Sequence, residues 1–212
     1  MLALYDSLLI NQGRTRACYR HPTDRGLVIK VATGDKKALN RSNLMELRGY
    51  QALMREQIDL FCISHCYGFV TTSMGKGLVC DCIRDDDGAI SRTIWDIIVY
   101  QEDCDIAYIQ QVTADFCRFL TQKDTRLFDL NLKNIVLKRQ NDGSYQPFVI
   151  DLKGRFDNKE TIPISSYFRY FAQKKMARRT RQLIERISVY RNMRRELQQK
   201  NTQQTAVTCK NT

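Results

Sequence analysis

The chain has 212 residues, 43% of them apolar, which supports one large domain or two closely packed units around a real core. Its formal net charge of +11 sits almost wholly at the C-terminus: residues 165–212 hold 12 Lys/Arg against 2 Asp/Glu, and residues 1–164 hold 22 against 21. No window approaches the roughly 18 consecutive apolar residues of a membrane span, and the Leu8-Leu9-Ile10 patch lacks a signal peptide's basic leader and length. The expected location is therefore the cytoplasm. There the eight scattered cysteines are expected to be reduced. Cys80 and Cys82 share one face of a strand-like run, and Cys62-x3-Cys66 has no matching second pair, so small core residues are expected rather than a zinc site.

After an apolar start, Asn11-Gln12-Gly13-Arg14-Thr15-Arg16-Ala17-Cys18-Tyr19 leads to a turn at His21-Pro22. Leu27-Val28-Ile29-Lys30-Val31 reads as a strand with one embedded lysine. Burying an ammonium without a partner is costly. Phosphate oxygens and a carboxylate would supply partners; the other reading is an edge strand with Lys30 in solvent. Residues 39–56 have helical spacing, with Leu44, Leu47, Tyr50 (or Gln51) and Met54 as the apolar stripe. Glu46 flanks that stripe and can reach across to Lys30, unless it is an ordinary solvated charge; Glu56, at the helix end, is the weaker partner.

Strands are predicted at 66–72 and 77–83, joined by the turn Ser73-Met74-Gly75-Lys76-Gly77. Arg84-Asp85-Asp86-Asp87-Gly88 reads as a polar linker in preference to a metal cluster. Helices are predicted at 93–100 and 106–121, the second with an apolar stripe of Ile106, Ile109, Val112, Phe116, Phe119 and Leu120. A long helix spans about 165–199, with an apolar face of Phe168, Phe171, Met176, Leu183, Ile187, Tyr190 and Leu197. Beyond Lys200 the polar Asn/Gln/Thr sequence predicts a frayed tail.

The stretch around which these elements are organised is Phe128-Asp129-Leu130-Asn131-Leu132-Lys133-Asn134-Ile135-Val136-Leu137, followed by Phe148-Val149-Ile150-Asp151-Leu152-Lys153-Gly154. Asn141-Asp142-Gly143-Ser144 between them is a reverse-turn signal, so the two apolar runs form a hairpin. That hairpin brings Asn134 and Asp151 to one end. Their oxygens suit a hard cation such as Mg²⁺, and Asp129, just upstream, is placed to take a proton from a hydroxyl.

From Gly13 to Gly154 the chain resembles the protein-kinase-like superfamily: a loop, a strand lysine, a helix glutamate, Asp-x4-Asn and a later Asp, in that order. More closely, it resembles the bacterial YrbL family (PhoP regulatory network protein). The residues that carry this are Gly-Arg-x-Arg-x-Cys-Tyr-x-His-Pro at 13–22, Ile29-Lys30, Glu46-Leu47…Tyr50, Val79-x-Asp81-x-Ile83…Asp87-Gly88 and Leu132-Lys133-Asn134-Ile135. The family name implies expression under a regulator of the low-magnesium response, and it implies no known reaction.

The resemblance implies an α+β, protein-kinase-like bilobal fold: a small β-rich N-lobe (1–84), a C-lobe core with the hairpin (85–164), a basic helical segment (165–200) and a flexible tail (201–212). It implies ATP and Mg²⁺ as cofactors. Gly13, Arg14, Arg16, Lys30, Glu46, Cys82 and Arg84 would then bind nucleotide, with Lys30 on the α/β-phosphates, Glu46 orienting it and the 82–85 backbone facing adenine. Asn134 and Asp151 would hold the metal, and Asp129 would act on the acceptor, so the catalytic set is Asp129, Asn134 and Asp151.

Several departures bear on activity. The loop keeps one glycine, Gly13, which weakens backbone contact with phosphates, and Arg14 or Arg16 can compensate with charge-assisted bonds. Leu127-Phe128 replaces His-Arg before Asp129, and the later motif reads Asp-Leu-Lys-Gly. No Ala-Pro-Glu-like segment follows Asp151, which disfavours a peptide substrate. Two readings of function stay open: a phosphotransferase acting on a small molecule or headgroup, and a catalytically weak, nucleotide-sensing pseudokinase. A third, nucleic-acid binding through the basic C-terminus, lacks any recognised motif. Residues 165–200 hold 11 Lys/Arg against Glu185 and Glu196. Arg178, Arg179, Arg181, Arg191, Arg194 and Arg195 are candidates for a surface facing an anionic membrane or an acidic partner; the other reading is a packed helix with solvated arginines.

Overall fold

The computed structural model describes residues 1–34, 36–56, 61–125, 127, 130–152 and 169–208, with the backbone alone at 36–39 and 201–208. The N-terminal part is an antiparallel sheet of β1 (Leu9–Gln12), β2 (Arg16–Arg20), β3 (Leu27–Ala32), β4 (Cys66–Thr72) and β5 (Gly75–Asp81). The strand order is β1-β2-β3-β5-β4, so β3 is the central strand. That removes the edge-strand reading of Lys30, which is paired on both sides, against Cys18 and Leu78, and is only 8% exposed.

The sheet alternates as a two-faced layer should. Leu4, Ala17, Tyr19, Ile29 and Val31 form a cluster on one side. Val28, Leu78, Cys80 and Cys82 form another, with Leu47 of α1 (Lys36–Arg55) against it. Cys80 and Cys82 are thus the small core residues their spacing suggests, and all seven described cysteines are free thiols. β5 begins two residues before its predicted start. The reason is a tight turn at Ser73-Met74, which Gly75 completes at φ 104. Gly77 has a different role: a Cβ there would lie 2.5 Å from Ile29 Cγ2, so only glycine lets β5 lie this close to β3.

Helix α1 keeps Leu47 and Tyr50 of the predicted stripe against the core but turns its two ends, Leu44 and Met54, outward. Leu44 and Met54 are 38% and 54% exposed, while Asn43, Glu46, Tyr50 and Leu53 are buried. The sheet beneath carries Lys30 and Arg16, and polar groups on α1 turn inward to meet them. Ion pairing outweighs the burial of two aliphatic side chains.

The C-terminal part holds β6 (Arg92–Thr93), α2 (Ile94–Tyr100), α3 (Ile106–Gln122), the hairpin β7 (Ile135–Arg139) and β8 (Tyr145–Val149), and α4 (Arg169–Thr208). Thr93 and Asp96 form a capping box on α2, and the Asp105 carboxylate accepts from Tyr108 N at the start of α3. The hairpin turns at Asn141-Asp142-Gly143, with Gly143 at φ 83 and its N–H donating to Gln140 O. Pro147 sits on β8, the edge strand, where its missing N–H costs least. Ile94, Ile98, Ile109, Leu120, Ile135, Leu137 and Ile187 are the fully buried centre of this part.

Two connections fix one part on the other. Ser64 N donates to Val149 O at 2.9 Å and Val149 N to Cys62 O at 2.8 Å, so residues 62–64 run along β8. The linker aspartates are the second connection, and each is already occupied. Asp85 accepts from Ser91 Oγ and Arg139 N, Asp86 pairs with Lys138 at 2.9 Å, and Asp87 pairs with Arg139 at 2.5 Å. They tie the linker to the hairpin.

Helix α4 buries Ala172, Met176, Leu183 and Ile187, whereas Phe171 and Leu197 of the predicted apolar face are about half exposed and Phe168 lies outside the described residues. It continues through Thr208, past the predicted end, since no Gly or Pro interrupts it. Arg191 departs from the expected polyanion surface. It is 5% exposed and donates to the carbonyls of Ile98, Gln101 and Glu102, capping the C-terminus of α2. No helix among the described residues is long and apolar enough to cross a membrane.

Candidate functional site

A cleft of about 590 Å³ opens between the sheet and the hairpin. Gly13, Arg14 and Arg16, from the β1–β2 connection and the start of β2, form one wall with Lys30 of β3. Asn134, Val136 and Asp151 face them from the hairpin side, and Cys82 and Ile83 of the linker close the back.

The centre of the cleft is an ion-pair chain. Lys30 Nζ donates to Glu46 Oε1. Arg16 Nη1 donates to Glu46 Oε2 at 2.5 Å and to Asn43 Oδ1 at 3.0 Å, and Arg16 Nη2 donates to Asp151 Oδ1. Asn43 Nδ2 donates to the Lys30 carbonyl at 2.9 Å, which locks α1 to β3. Burial is the largest single influence on the Lys30 ammonium and lowers its pKa, but the Glu46 carboxylate, helped by Cys80 and Asp151, pulls the other way, and the net shift is upward. Arg16 follows the same pattern: burial opposes its charge, and Glu46 and then Asp151 outweigh burial. Both cations are held firmly in their charged forms. Burial pushes the neighbouring Cys18 thiol up to about 11.

Beside Glu46 lie two thiols, Cys66 and Cys80, with their Sγ atoms 3.5 Å apart and Cys80 Sγ 3.9 Å from Glu46 Oε1. Glu46, Cys66 and Cys80 are close enough together to ligate a metal. The Lys30 ammonium already occupies the Glu46 oxygen they would need. The two thiols are core residues packed beside the buried carboxylate.

Asn134 and Asp151 meet because Ile150 N donates to Asn134 O at 2.9 Å, which sets the end of β8 beside the start of β7. Asn134 is 7% exposed. Asp151 sits at φ 57, in the left-handed region that a non-glycine residue occupies at a cost. That conformation aims its carboxylate across the cleft at Arg16.

Of the expected nucleotide residues, Gly13, Arg14, Arg16, Lys30 and Cys82 line the cleft, with Glu46 directly behind Lys30. The Cys82 N–H is already given to Gly26 O at 2.7 Å. Arg84 is not among the lining residues: its side chain donates to Arg25 O and Gly88 O, holding the linker turn. Asp129 lies outside the described residues. The residue missed by sequence reasoning is Asn43. Its signal was the spacing Asn43-x2-Glu46, which puts an amide one helical turn from the carboxylate. Lys133 was also missed: it lines the cleft, with its ammonium 4.5 Å from the Trp95 ring centroid.

The sequence model of the family described as PhoP regulatory network protein YrbL matches residues 2–188. The chain belongs to this family. Similarity extends over nearly the whole length: the YrbL proteins of Escherichia coli (strain K12) and of Shigella flexneri are each 29% identical over 218 residues, covering 98% of this chain and 98% of each relative. The YrbL family assignment thus spans both the sheet and the hairpin, and both walls of the cleft.

Proposed function

We propose that this YrbL-family chain is kinase-like and binds ATP with a divalent cation in the cleft, transferring phosphate to a small-molecule or headgroup acceptor. The observation that carries this reading is the convergence of the buried Lys30–Glu46 pair with Asn134 and Asp151 around one cavity. A volume of about 590 Å³ is in the range of small-ligand sites. Ile10, Val28, Ile83 and Val136 contribute apolar lining suited to a flat base, and Lys30 and Arg14 contribute charge suited to phosphates. The donor set fits a hard cation, since an amide and a carboxylate oxygen are what Mg²⁺ accepts beside phosphate oxygens and water.

In this reading Asn134 and Asp151 would hold a cation that would offset phosphate charge, and Lys30, oriented by Glu46, would bind the same phosphates from the sheet side. Asp129 would orient the acceptor hydroxyl and accept its proton. The eroded glycine loop favours the second reading, a nucleotide-sensing module without turnover.

A thermal-shift titration with ATP and Mg²⁺ tests binding. Ligand at 100 times its Kd stabilises by about 2.7 kcal/mol, or roughly 5–10 °C for a chain of this size. The shift should vanish in Lys30→Met and in Asp151→Asn. No shift in the wild type refutes nucleotide binding. Given a shift, turnover of ATP that falls by orders of magnitude in Asp129→Asn supports transfer, and a shift without turnover across a broad acceptor screen supports the sensing module.

A further inference from the structure

Arg16 does not face the cleft as a free cation. Its guanidinium lies between the Glu46 and Asp151 carboxylates, joining a strand of the sheet to a residue 135 positions later. Asp151 is also half of the proposed cation site, so one of its oxygens already has a positive partner. We propose that Arg16 is a resident cation for this site, competing with the divalent ion for Asp151 and so setting how much of it the cleft requires. The proposal rests on the reading of the cleft as a nucleotide and cation site.

Three features make the exchange workable. The Arg16 side chain is 13% exposed, so its bond to Asp151 is poorly screened and an incoming cation meets real competition. A second positive charge beside Asp151 also repels the guanidinium. Finally, Arg16 is not stranded when it releases Asp151, because Nη1 keeps both Glu46 and Asn43. The fork geometry of arginine lets one half let go while the other holds. A lysine here has a single point charge and cannot hold both carboxylates in the same way.

The test uses the full chain and Mn²⁺ alone as the probe, read by loss of the free-ion EPR signal. Wild type, Arg16→Gln, Arg16→Lys and Asp151→Asn are compared after circular dichroism confirms that each is folded. Arg16→Gln should bind Mn²⁺ at least about tenfold tighter than wild type, as expected when one charge-assisted competitor is removed. Arg16→Lys should fall between, and Asp151→Asn should not bind. Wild-type binding with no tightening in Arg16→Gln overturns the role of Arg16 alone. Absence of Mn²⁺ binding in every variant overturns the cation site itself, and the proposal with it. A second measurement needs no variant to fold: the side-chain NMR signals of arginine-labelled wild type. The slowly exchanging guanidinium protons of Arg16 should be lost or shifted at saturating Mg²⁺. An unchanged signal once Mg²⁺ is bound overturns the exchange.

Discussion

Glu46→Gln is the sharpest probe of the buried ion pairs that build the sheet-side wall of the cleft. Glu46 is 1% exposed and accepts from both Lys30 and Arg16. The amide preserves shape and removes the negative charge, leaving the Lys30 ammonium buried at 8% exposure. Breaking one side of a buried pair typically costs about 3–5 kcal/mol. Arg16 retains Asp151 and Asn43, so the loss falls mainly on Lys30 and the lower end applies, about 3 kcal/mol. Against a typical total of roughly 5–15 kcal/mol, that is a large fraction of stability. Urea unfolding should show a lower midpoint with an unchanged slope. The double variant Lys30→Met with Glu46→Gln should recover about 1–2 kcal/mol relative to the sum of the single variants, because no unpaired ammonium remains. A Glu46→Gln loss below about 0.5 kcal/mol, against the pair energy above, or strictly additive single variants, would refute the ion pair as the determinant.

Gly77→Ala places a methyl 2.5 Å from Ile29 Cγ2 inside the central strand pair; the expected loss is about 1–3 kcal/mol, seen in the same urea experiment. On α4, Lys174, Arg178, Arg181 and Arg195 are exposed and Arg191 is buried. At about 1 kcal/mol per basic residue near an anionic surface, the protein should sediment with anionic but not neutral vesicles at low ionic strength and be released near 0.5 M salt, where the Debye length is roughly 4 Å. Replacing Arg178, Arg181 and Arg195 by glutamine should abolish sedimentation without lowering stability. Arg191→Gln should instead destabilise by about 2 kcal/mol through the lost cap on α2.

Local pattern was enough to read most elements of this chain. The strand at 66–72, the helices beginning near 94 and 106, and the hairpin either side of Gly143 follow from period-2 alternation, 3.6-residue spacing and turn chemistry, all of which act over a few residues. The pairing of Lys30 with Glu46 was also legible, because a lysine in an apolar strand must find an anion and the next helix offers one. Other features depend on groups far apart in sequence. The phase of α1 is set by Lys30 and Arg16 beneath it, so Asn43 is buried and Leu44 is not. Arg191 is a cap because the end of α2 lies against it, 89 to 93 residues away. Nor does any local signal say that Arg16 spans from Glu46 to Asp151. Sequence spacing specifies which groups carry charge and which face of an element is apolar. Only the packed structure decides which charge each one meets, because that choice compares burial costs across the whole cleft.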